Sequence, residues 1–232
     1  MDIHSFKKEL TKLDLQIFSL NEAQKILQVN KNTLYTTLSR WAKKEYIHRI
    51  RKGWYSTKPL ENKFLIQATY PDTYIGLRSA IEYHRKTTQR YNTIDLITEE
   101  PKKTQHVSTY TVAFHTSKHH FGYYKERIDT QEIFVSNTEK TIIDLIHFSH
   151  KVPLQTTETF INKAKEEIDT ERLKDYLLHT NTNALTKRVG YLLQKHGITL
   201  DIQTTKPYQK LDKTQKKEGQ RIPRWNIIDN AN

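Results

Sequence analysis

The stretch of sequence that decides the fold is NKNTLYTTLSRWAKKEYIHRIRKGWYST, residues 30–57. Asn30 is a residue type favoured as a helix N-cap, and the apolar residues after it recur at i, i+4 and i+7. This spacing predicts a helix that runs to about Lys44. Its buried positions are expected to be Leu34, Leu38 and Trp41.

A hairpin is predicted directly after this helix. Ile47 begins a strand pattern, and Gly53 supplies the turn or bulge between two short strands. Upstream, apolar residues at helical spacing predict a first helix, and Asn21 is expected to cap a second one. The apolar positions of these two helices are Ile3, Phe6, Leu10 and Leu13, then Ala23, Ile26 and Leu27, with Ile17 and Phe18 as a short extended link between them.

Helix, helix, turn, helix and basic hairpin is the layout of a winged helix-turn-helix, a DNA-binding motif. A recognition helix must pack an apolar face on its own domain and present short polar groups to base edges. Asn32, Thr36 and Ser39 are expected to contact bases, and Arg40, Lys43 and Lys44 to contact phosphates. The predicted recognition-helix residues are Lys31, Asn32, Thr33, Tyr35, Thr36, Ser39, Arg40, Lys43 and Lys44.

The hairpin is expected to act as the wing of this motif and to add positive charge beside the helix. Its predicted DNA-binding residues are His48, Arg49, Arg51, Lys52 and Trp54. Core packing is an equally good explanation for Trp54. Winged helices also serve as protein-interaction modules, so a domain that docks only protein stays an alternative.

Net charge supports an anionic partner. The chain carries a formal charge of +12 and a pI near 9.6. Residues 31–58 contain eight Lys or Arg side chains against the single acid Glu45, and residues 186–224 contain ten against three acids. Two basic blocks therefore flank a nearly neutral body, which favours nucleic acid as a partner over a uniformly solvated surface.

Composition excludes several classes of protein. Hydrophobic residues make up 35% of the 232 residues, which is low but sufficient for a packed core. No apolar run is long enough to span a membrane, and the charged N-terminus is not that of a signal peptide. The absence of cysteine excludes disulfides, thiolate metal sites and a cysteine nucleophile, and it fits a cytoplasmic protein.

A domain boundary is expected near residue 60, with a winged helix-turn-helix over residues 1–60 and a second domain over 61–232. Strand patterns occur in NTIDLIT, HVSTYTVAF and EIFVSN, and helices dominate after Thr138. The predicted fold class is therefore α+β, in which the winged helix precedes a mixed α/β domain with a small sheet and several helices.

Signs of an enzyme are weak. No Gly-rich phosphate loop or nucleophile elbow is present. His115, His119 and His120 suggest a metal cluster, but no carboxylate lies at ligand spacing on the same element. Asp95, Glu100 and Lys102 loosely match a nuclease arrangement, although Pro101 would interrupt the strand that such an arrangement needs. The chain is therefore predicted not to be an enzyme, with no cofactor and no metal, and a metal-dependent nuclease is a distant alternative.

Five short motifs, in order, resemble AbiEi-type antitoxins, the transcriptional regulators of type IV toxin–antitoxin systems in phage defence. Their order and spacing carry the resemblance, which covers nearly the full length. One departure is Lys213, where the family has Pro after Leu-Asp. The motifs are YIGLRSAIEYH at 74–84, FGYYK at 121–125, NTEKTIIDLI at 137–146, TKRVGYLLQKHG at 186–197 and LDKTQKKEGQRIPRWNIIDN at 211–230.

The resemblance implies a repressor that binds inverted repeats at its own promoter and whose C-terminal domain helps to neutralise a nucleotidyltransferase toxin. Most of the matched residues are expected to be scaffold, with His84 and Asp144 in structural hydrogen bonds. Gly190 is expected to allow close approach of another element, and Trp225 to anchor the terminal strand. The oligomeric state is left open, with a monomer that binds cooperatively as one possibility.

The second basic block has no DNA-reading motif. It is expected to extend the DNA footprint, to contact RNA or to contact an acidic toxin surface. Its candidate residues are Lys187, Arg188, Lys195, Lys206, Lys210, Lys213, Lys216 and Lys217.

Overall fold

The fold was obtained as a computed structural model, and the structure describes residues 1–231. It is mixed α and β, as the predicted α+β class requires. Contacts divide the chain into two compact units. The first contains Met1–Ile75, Asn92–Thr116 and Lys125–Val135, and the second contains Gly76–Tyr91, Ser117–Tyr124 and the remainder from Ser136. The division does not coincide with residue 60, because the sheet strands belong to the same unit as the N-terminal helices.

The first unit begins with three helices and a three-stranded antiparallel sheet in the order β1-β3-β2. Gly53 turns the β2–β3 hairpin with a φ of +81°, a conformation that favours glycine. The elements are α1 (Ile3–Lys12), β1 (Ile17–Ser19), α2 (Leu20–Leu27), α3 (Lys31–Lys43), β2 (His48–Arg51) and β3 (Trp54–Ser56).

Helix caps account for the positions of α2 and α3. Asn30 caps α3 as predicted, since its side-chain oxygen accepts a hydrogen bond from the Thr33 amide at 2.9 Å. The predicted cap of α2 at Asn21 is wrong. Ser19 holds that place, because its hydroxyl accepts from the Glu22 amide while the Glu22 carboxylate accepts from the Ser19 amide at 2.6 Å.

One apolar core holds these elements together. The ring of Phe6 lies 5.1 Å from that of Trp41 and 5.4 Å from that of Phe18. The predicted positions of α3 are confirmed, since Leu34, Leu38 and Trp41 are all buried. The expected core role of Leu13 is wrong, because α1 ends at Lys12 and Leu13 is 57% exposed.

A six-stranded mixed sheet in the order β6-β7-β5-β4-β9-β8 follows a 3-10 helix at Lys63–Thr69. The single strand expected from HVSTYTVAF is two strands joined by a tight turn, because Ser108 has a φ of +55° and reverses the chain. The strands are β4 (Thr73–Ile75), β5 (Thr93–Thr98), β6 (Gln105–Val107), β7 (Tyr110–Thr116), β8 (Tyr123–Ile128) and β9 (Gln131–Ser136).

The second unit is mainly helical, with a small sheet of three short strands in the order β10-β12-β11. Between residues 1 and 231 no helix has the length and apolar character needed to cross a membrane. The elements are α4 (Leu77–Tyr83), α5 (Thr138–His147), α6 (Leu154–Ala164), α7 (Thr170–Thr180), α8 (Asn183–Lys195), β10 (Gln209–Lys210), β11 (Gln220–Ile222) and β12 (Ile227–Asp229).

The motifs of the second unit have structural roles. His84 Nε2 lies 2.8 Å from the carbonyl oxygen of Ser136, and Asp144 forms a buried ion pair with Lys140 one helical turn away. Trp225 is buried against α8, and its indole N–H donates to the side chain of Gln194. A Cβ atom built on Gly190 would overlap the Trp225 ring, which confirms that this glycine permits close approach.

Gly190→Ala is therefore expected to destabilise the protein by about 1–3 kcal/mol, because the added methyl group overpacks the contact with Trp225. Thermal unfolding measures the effect. The same substitution made in a Trp225→Leu background should lower the free energy of unfolding by less, because the ring that the added methyl group meets is absent. An equal loss of stability from Gly190→Ala in both backgrounds would contradict this explanation.

Candidate nucleic-acid interface

The outer surface of α3 contains the predicted recognition residues. Lys31, Asn32, Thr33, Tyr35, Thr36, Ser39, Arg40, Lys43 and Lys44 are all exposed. Packing of Leu34, Leu38 and Trp41 into the core fixes the rotation of the helix, so that Asn32, Thr36, Ser39 and Lys43 lie on the opposite side. The structure thus brings these residues together on one solvent-facing surface.

A shallow open depression of about 600 Å³ runs along this surface and is lined by Tyr35, Thr36, Ser39, Arg40, Lys43 and Lys44. Tyr35 is 53% exposed, which is high for an aromatic ring. The Thr36 hydroxyl donates to the Asn32 carbonyl at 3.0 Å, so its lone pairs remain to accept a bond from outside. Thr36 is therefore suited to accept hydrogen bonds rather than to donate them.

The charge on this surface is positive and is not neutralised locally. The sequence of α3 contains no carboxylate. Among residues 1–231, Arg40, Lys43 and Lys44 form no salt bridge. These cations are consequently available to an external anion such as a phosphate.

The β2–β3 hairpin places its predicted residues in two different environments. Arg49 and Lys52 are exposed, whereas His48 and Trp54 are half-buried. The pairing of the two strands shifts between Arg49 and Arg51, and this irregularity locally alters the twist of the hairpin. Arg49 and Lys52 are thus the members of the predicted wing set that present positive charge to solvent.

Arg51 points inward, so its predicted role as a DNA contact is not supported by its position. Its Nε donates to the Thr69 hydroxyl at 3.0 Å, and its guanidinium also donates to the Thr69 carbonyl. The guanidinium carbon lies 4.2 Å from the centre of the Tyr70 ring and 5.6 Å from that of Trp54. Arg51 therefore anchors the hairpin to the 3-10 helix that follows it.

Burial is the main cause of the pKa shifts of Arg51 and Tyr70. Burial lowers the pKa of the Arg51 guanidinium, and burial raises the pKa of the Tyr70 hydroxyl. The charge interaction between the two groups opposes burial, because it raises the pKa of Arg51 and lowers the pKa of Tyr70. Burial is the larger effect in both cases. The guanidinium is the cation and the Tyr70 ring the π-system of the cation–π contact.

Arg51→Ala is expected to lower the free energy of unfolding by about 1–3 kcal/mol, because the Thr69 carbonyl loses its partner. Arg51→Lys should recover only part of this loss, since an ammonium group cannot stack and donate twice as the planar guanidinium does. Urea unfolding measures both. Arg49→Ala is the matched control and should leave stability unchanged, and similar losses for Arg49→Ala and Arg51→Ala would refute the anchor.

The second basic block, in the second unit, is largely used inside the fold. Lys187 donates to the Pro207 carbonyl, Arg188 Nε to that of Lys210 at 2.8 Å, and Lys213 to that of His147 at 2.9 Å. Lys210 donates to the carbonyls of Lys213 and Gln215, and Lys195 pairs with Glu158 at 2.6 Å.

Lys206, Lys216 and Lys217 are exposed members of the block for which the structure shows no such use. Five of the eight residues of the predicted basic block therefore have partners inside the fold, and the prediction that the block contacts an external partner is left to Lys206, Lys216 and Lys217. The C-terminal segment has little regular secondary structure to satisfy its backbone carbonyl groups. Some of these carbonyl groups accept hydrogen bonds from Lys187, Arg188 and Lys210 instead. No local sequence signal marks these bonds, because Lys187 and Arg188 lie on α8 and their acceptors follow 20 and 22 positions later.

The residues considered for catalysis or metal binding have other partners. Asp95 and His115 are both buried, and His115 Nε2 lies 2.9 Å from Asp95 Oδ1. In the second unit, the His119 ring packs on that of His147, and burial lowers the pKa of both, to about 4 for His147. Across the described part of the chain, no group of three or more His, Asp or Glu side chains could hold a metal ion.

The chain is similar over nearly its whole length to a solved structure. It is the crystal structure of the RV2827C protein from Mycobacterium tuberculosis, with a TM-score of 0.67 and 11% sequence identity. The match covers 98% of this chain and 90% of that one. At this identity the likeness shows a shared fold alone. No family model matches the sequence, and no curated protein matches it significantly.

Proposed function

We propose that this protein is a sequence-specific, double-stranded DNA-binding repressor that acts as the antitoxin of a type IV toxin–antitoxin system and controls its own operon. The observation that carries the DNA-binding part is the outer face of α3, which is exposed, polar and free of carboxylates beside a basic hairpin. The element order of the first 57 residues supports a winged helix-turn-helix.

The dimensions of α3 suit the major groove. Thirteen residues form a helix about 20 Å long, and the groove of B-DNA admits an α-helix. Asn32 lies near the N-terminal end of the helix and can donate and accept at once, as recognition of adenine requires. Ser39 offers a hydroxyl to a base edge about two turns further along. Arg40 and Lys44 flank this line and are placed for phosphates.

Asn32→Ala is expected to relax sequence preference by about 1–3 kcal/mol at one base pair, because a base-edge contact is lost. Arg40→Ala with Lys43→Ala should weaken binding to operator and random DNA alike, and it should reduce the slope of log K against log [salt] by about 2. Fluorescence anisotropy on an inverted repeat upstream of the gene measures both.

The matched control is Lys163→Ala with Lys165→Ala, which removes two exposed charges from the second unit and should leave operator binding unchanged. No preference of the wild-type protein for the inverted repeat over random duplex would end the repressor proposal. Equal losses on both kinds of DNA for Asn32→Ala would instead refute the assignment of the base-reading face.

The antitoxin part of the proposal depends on the family resemblance of residues 74–230. The partner is then a nucleotidyltransferase toxin encoded beside this gene, both proteins acting in the cytoplasm. Because neutralisation is assigned to the segment after residue 60, it should not need the DNA-binding face of α3.

Co-expression with that toxin should restore growth for the wild type and for the Arg40→Ala/Lys43→Ala variant alike. Colony counts under induction of the toxin measure this. Growth that stays arrested with the wild-type protein would contradict the antitoxin function. Stable co-purification with the toxin, without DNA affinity at low salt, would favour the alternative of a protein-interaction module.

A further inference from the structure

An open groove of about 260 Å³ lies between the β2–β3 hairpin and the turn that joins β6 to β7, and both hairpins belong to the first unit. The apolar residues Leu60, Ile66 and Val107 line it, and Ile66 and Val107 are themselves buried. The groove has room for a compact molecule of roughly ten non-hydrogen atoms. Neither the outer face of α3 nor the anchoring of Arg51 accounts for it.

The polar part of this groove is positively charged. The β2 strand contributes Arg49 and His48, and the β6–β7 hairpin contributes the hydroxyl-bearing residues Ser108 and Tyr110. In the part of the chain that the structure describes, no Asp or Glu lines the groove, and Arg49 forms no salt bridge. The groove therefore combines an apolar surface with one arginine that an external anion can pair with.

The two hairpins that border the groove share one support. Arg51 joins the β2–β3 hairpin to the 3-10 helix through Thr69, and its guanidinium stacks on the Tyr70 ring at 4.2 Å. The Tyr70 hydroxyl donates to the side chain of Gln105 in β6 at 2.9 Å. Ile66 of the groove lies on the same 3-10 helix. The groove is therefore preformed, and a ligand does not have to order a loop in order to bind.

We infer that this groove is a regulatory site for a small monocarboxylate with an apolar body, which competes with DNA for Arg49. This inference rests on the proposed DNA-binding function and adds its regulation. A carboxylate pairs with a guanidinium through two parallel hydrogen bonds, and the apolar body leaves water on contact with Leu60 and Ile66. The single negative charge of a carboxylate matches the single arginine of the groove, whereas a phosphate monoester carries about −1.5 to −2.

A ligand in the groove acts on DNA binding through charge. Arg49 and Lys52 are the two members of the predicted wing set that are exposed. A carboxylate paired with Arg49 neutralises one of these two charges, so that one fewer cation is available to the DNA phosphates. The affinity for the operator therefore falls when the ligand binds, and the ligand releases the repressor.

Isothermal titration calorimetry on the full chain tests the site by comparing phenylacetate with phenylacetamide, an uncharged molecule of nearly the same shape. Phenylacetate should bind with a Kd about tenfold lower, because only its carboxylate pairs with Arg49. Arg49→Gln should abolish this difference. Lys52→Gln is the matched control, since Lys52 is in the same hairpin but does not line the groove, and it should leave both Kd values unchanged.

Leu60→Trp is a second variant, which fills the apolar part of the groove and leaves Arg49 in place. It should block the binding of both compounds, while thermal unfolding shows whether the fold is kept. A folded Leu60→Trp protein that binds phenylacetate as tightly as the wild type would overturn the location of the site.

Fluorescence anisotropy on the operator tests the regulation. Saturating phenylacetate should raise the Kd of the wild-type protein for the operator about three- to tenfold and lower the salt slope by about 1, as Arg49→Gln does without ligand. Phenylacetate added to the Arg49→Gln protein should cause no further change.

The inference is overturned if neither compound binds, if both bind equally, or if the difference between them survives in Arg49→Gln. Operator affinity that stays constant at saturating phenylacetate would overturn the regulatory role. The calorimetric titrations contain no DNA, so their failure leaves the proposed repressor function standing. That function fails separately, if the wild-type protein without ligand shows no preference for the operator.

Discussion

The packing of α3 on the core of the first unit is the constraint on which the candidate interface depends. Leu34, Leu38 and Trp41 are buried against Phe6 and its neighbours, and this contact determines the rotation of the helix about its axis. A rotation by one residue, about 100°, would move Leu34 and Leu38 away from the core and bring polar side chains of α3 toward it. The polar face is thus presented by the same contacts that stabilise the unit.

Periodic features could be predicted from the sequence, because their cause is local. The stripe of α3, the Asn30 cap and the Gly53 turn each depend on residues within a few positions of one another. The choice between Ser19 and Asn21 as the α2 cap failed for a subtler reason. Both are good capping residues, and Ser19 prevails because Glu22 stands three positions later and completes a reciprocal pair.

Long charged side chains could not be assigned, because they reach partners that are distant in sequence. Arg51 bonds to Thr69, eighteen positions away, and Lys213 bonds to His147, sixty-six positions away. A linear count of charge treats Arg49 and Arg51 alike, although one faces solvent and the other is anchored. Basic side chains of the C-terminal segment likewise donate to backbone carbonyl groups, as Lys210 and Lys213 do.

The three tryptophans sit in three separate environments, which has an optical consequence. Trp41 is buried in the core of the first unit, Trp225 is buried in the second, and Trp54 lies half-exposed in the hairpin under the Arg51 guanidinium. Indole emission shifts to longer wavelength as the ring meets water, so Trp54 is expected to emit at longer wavelength than the two buried rings. Replacing the two buried rings with phenylalanine would leave Trp54 as a single intrinsic fluorophore at the hairpin, and its quenching would time the arrival of a ligand without an attached dye.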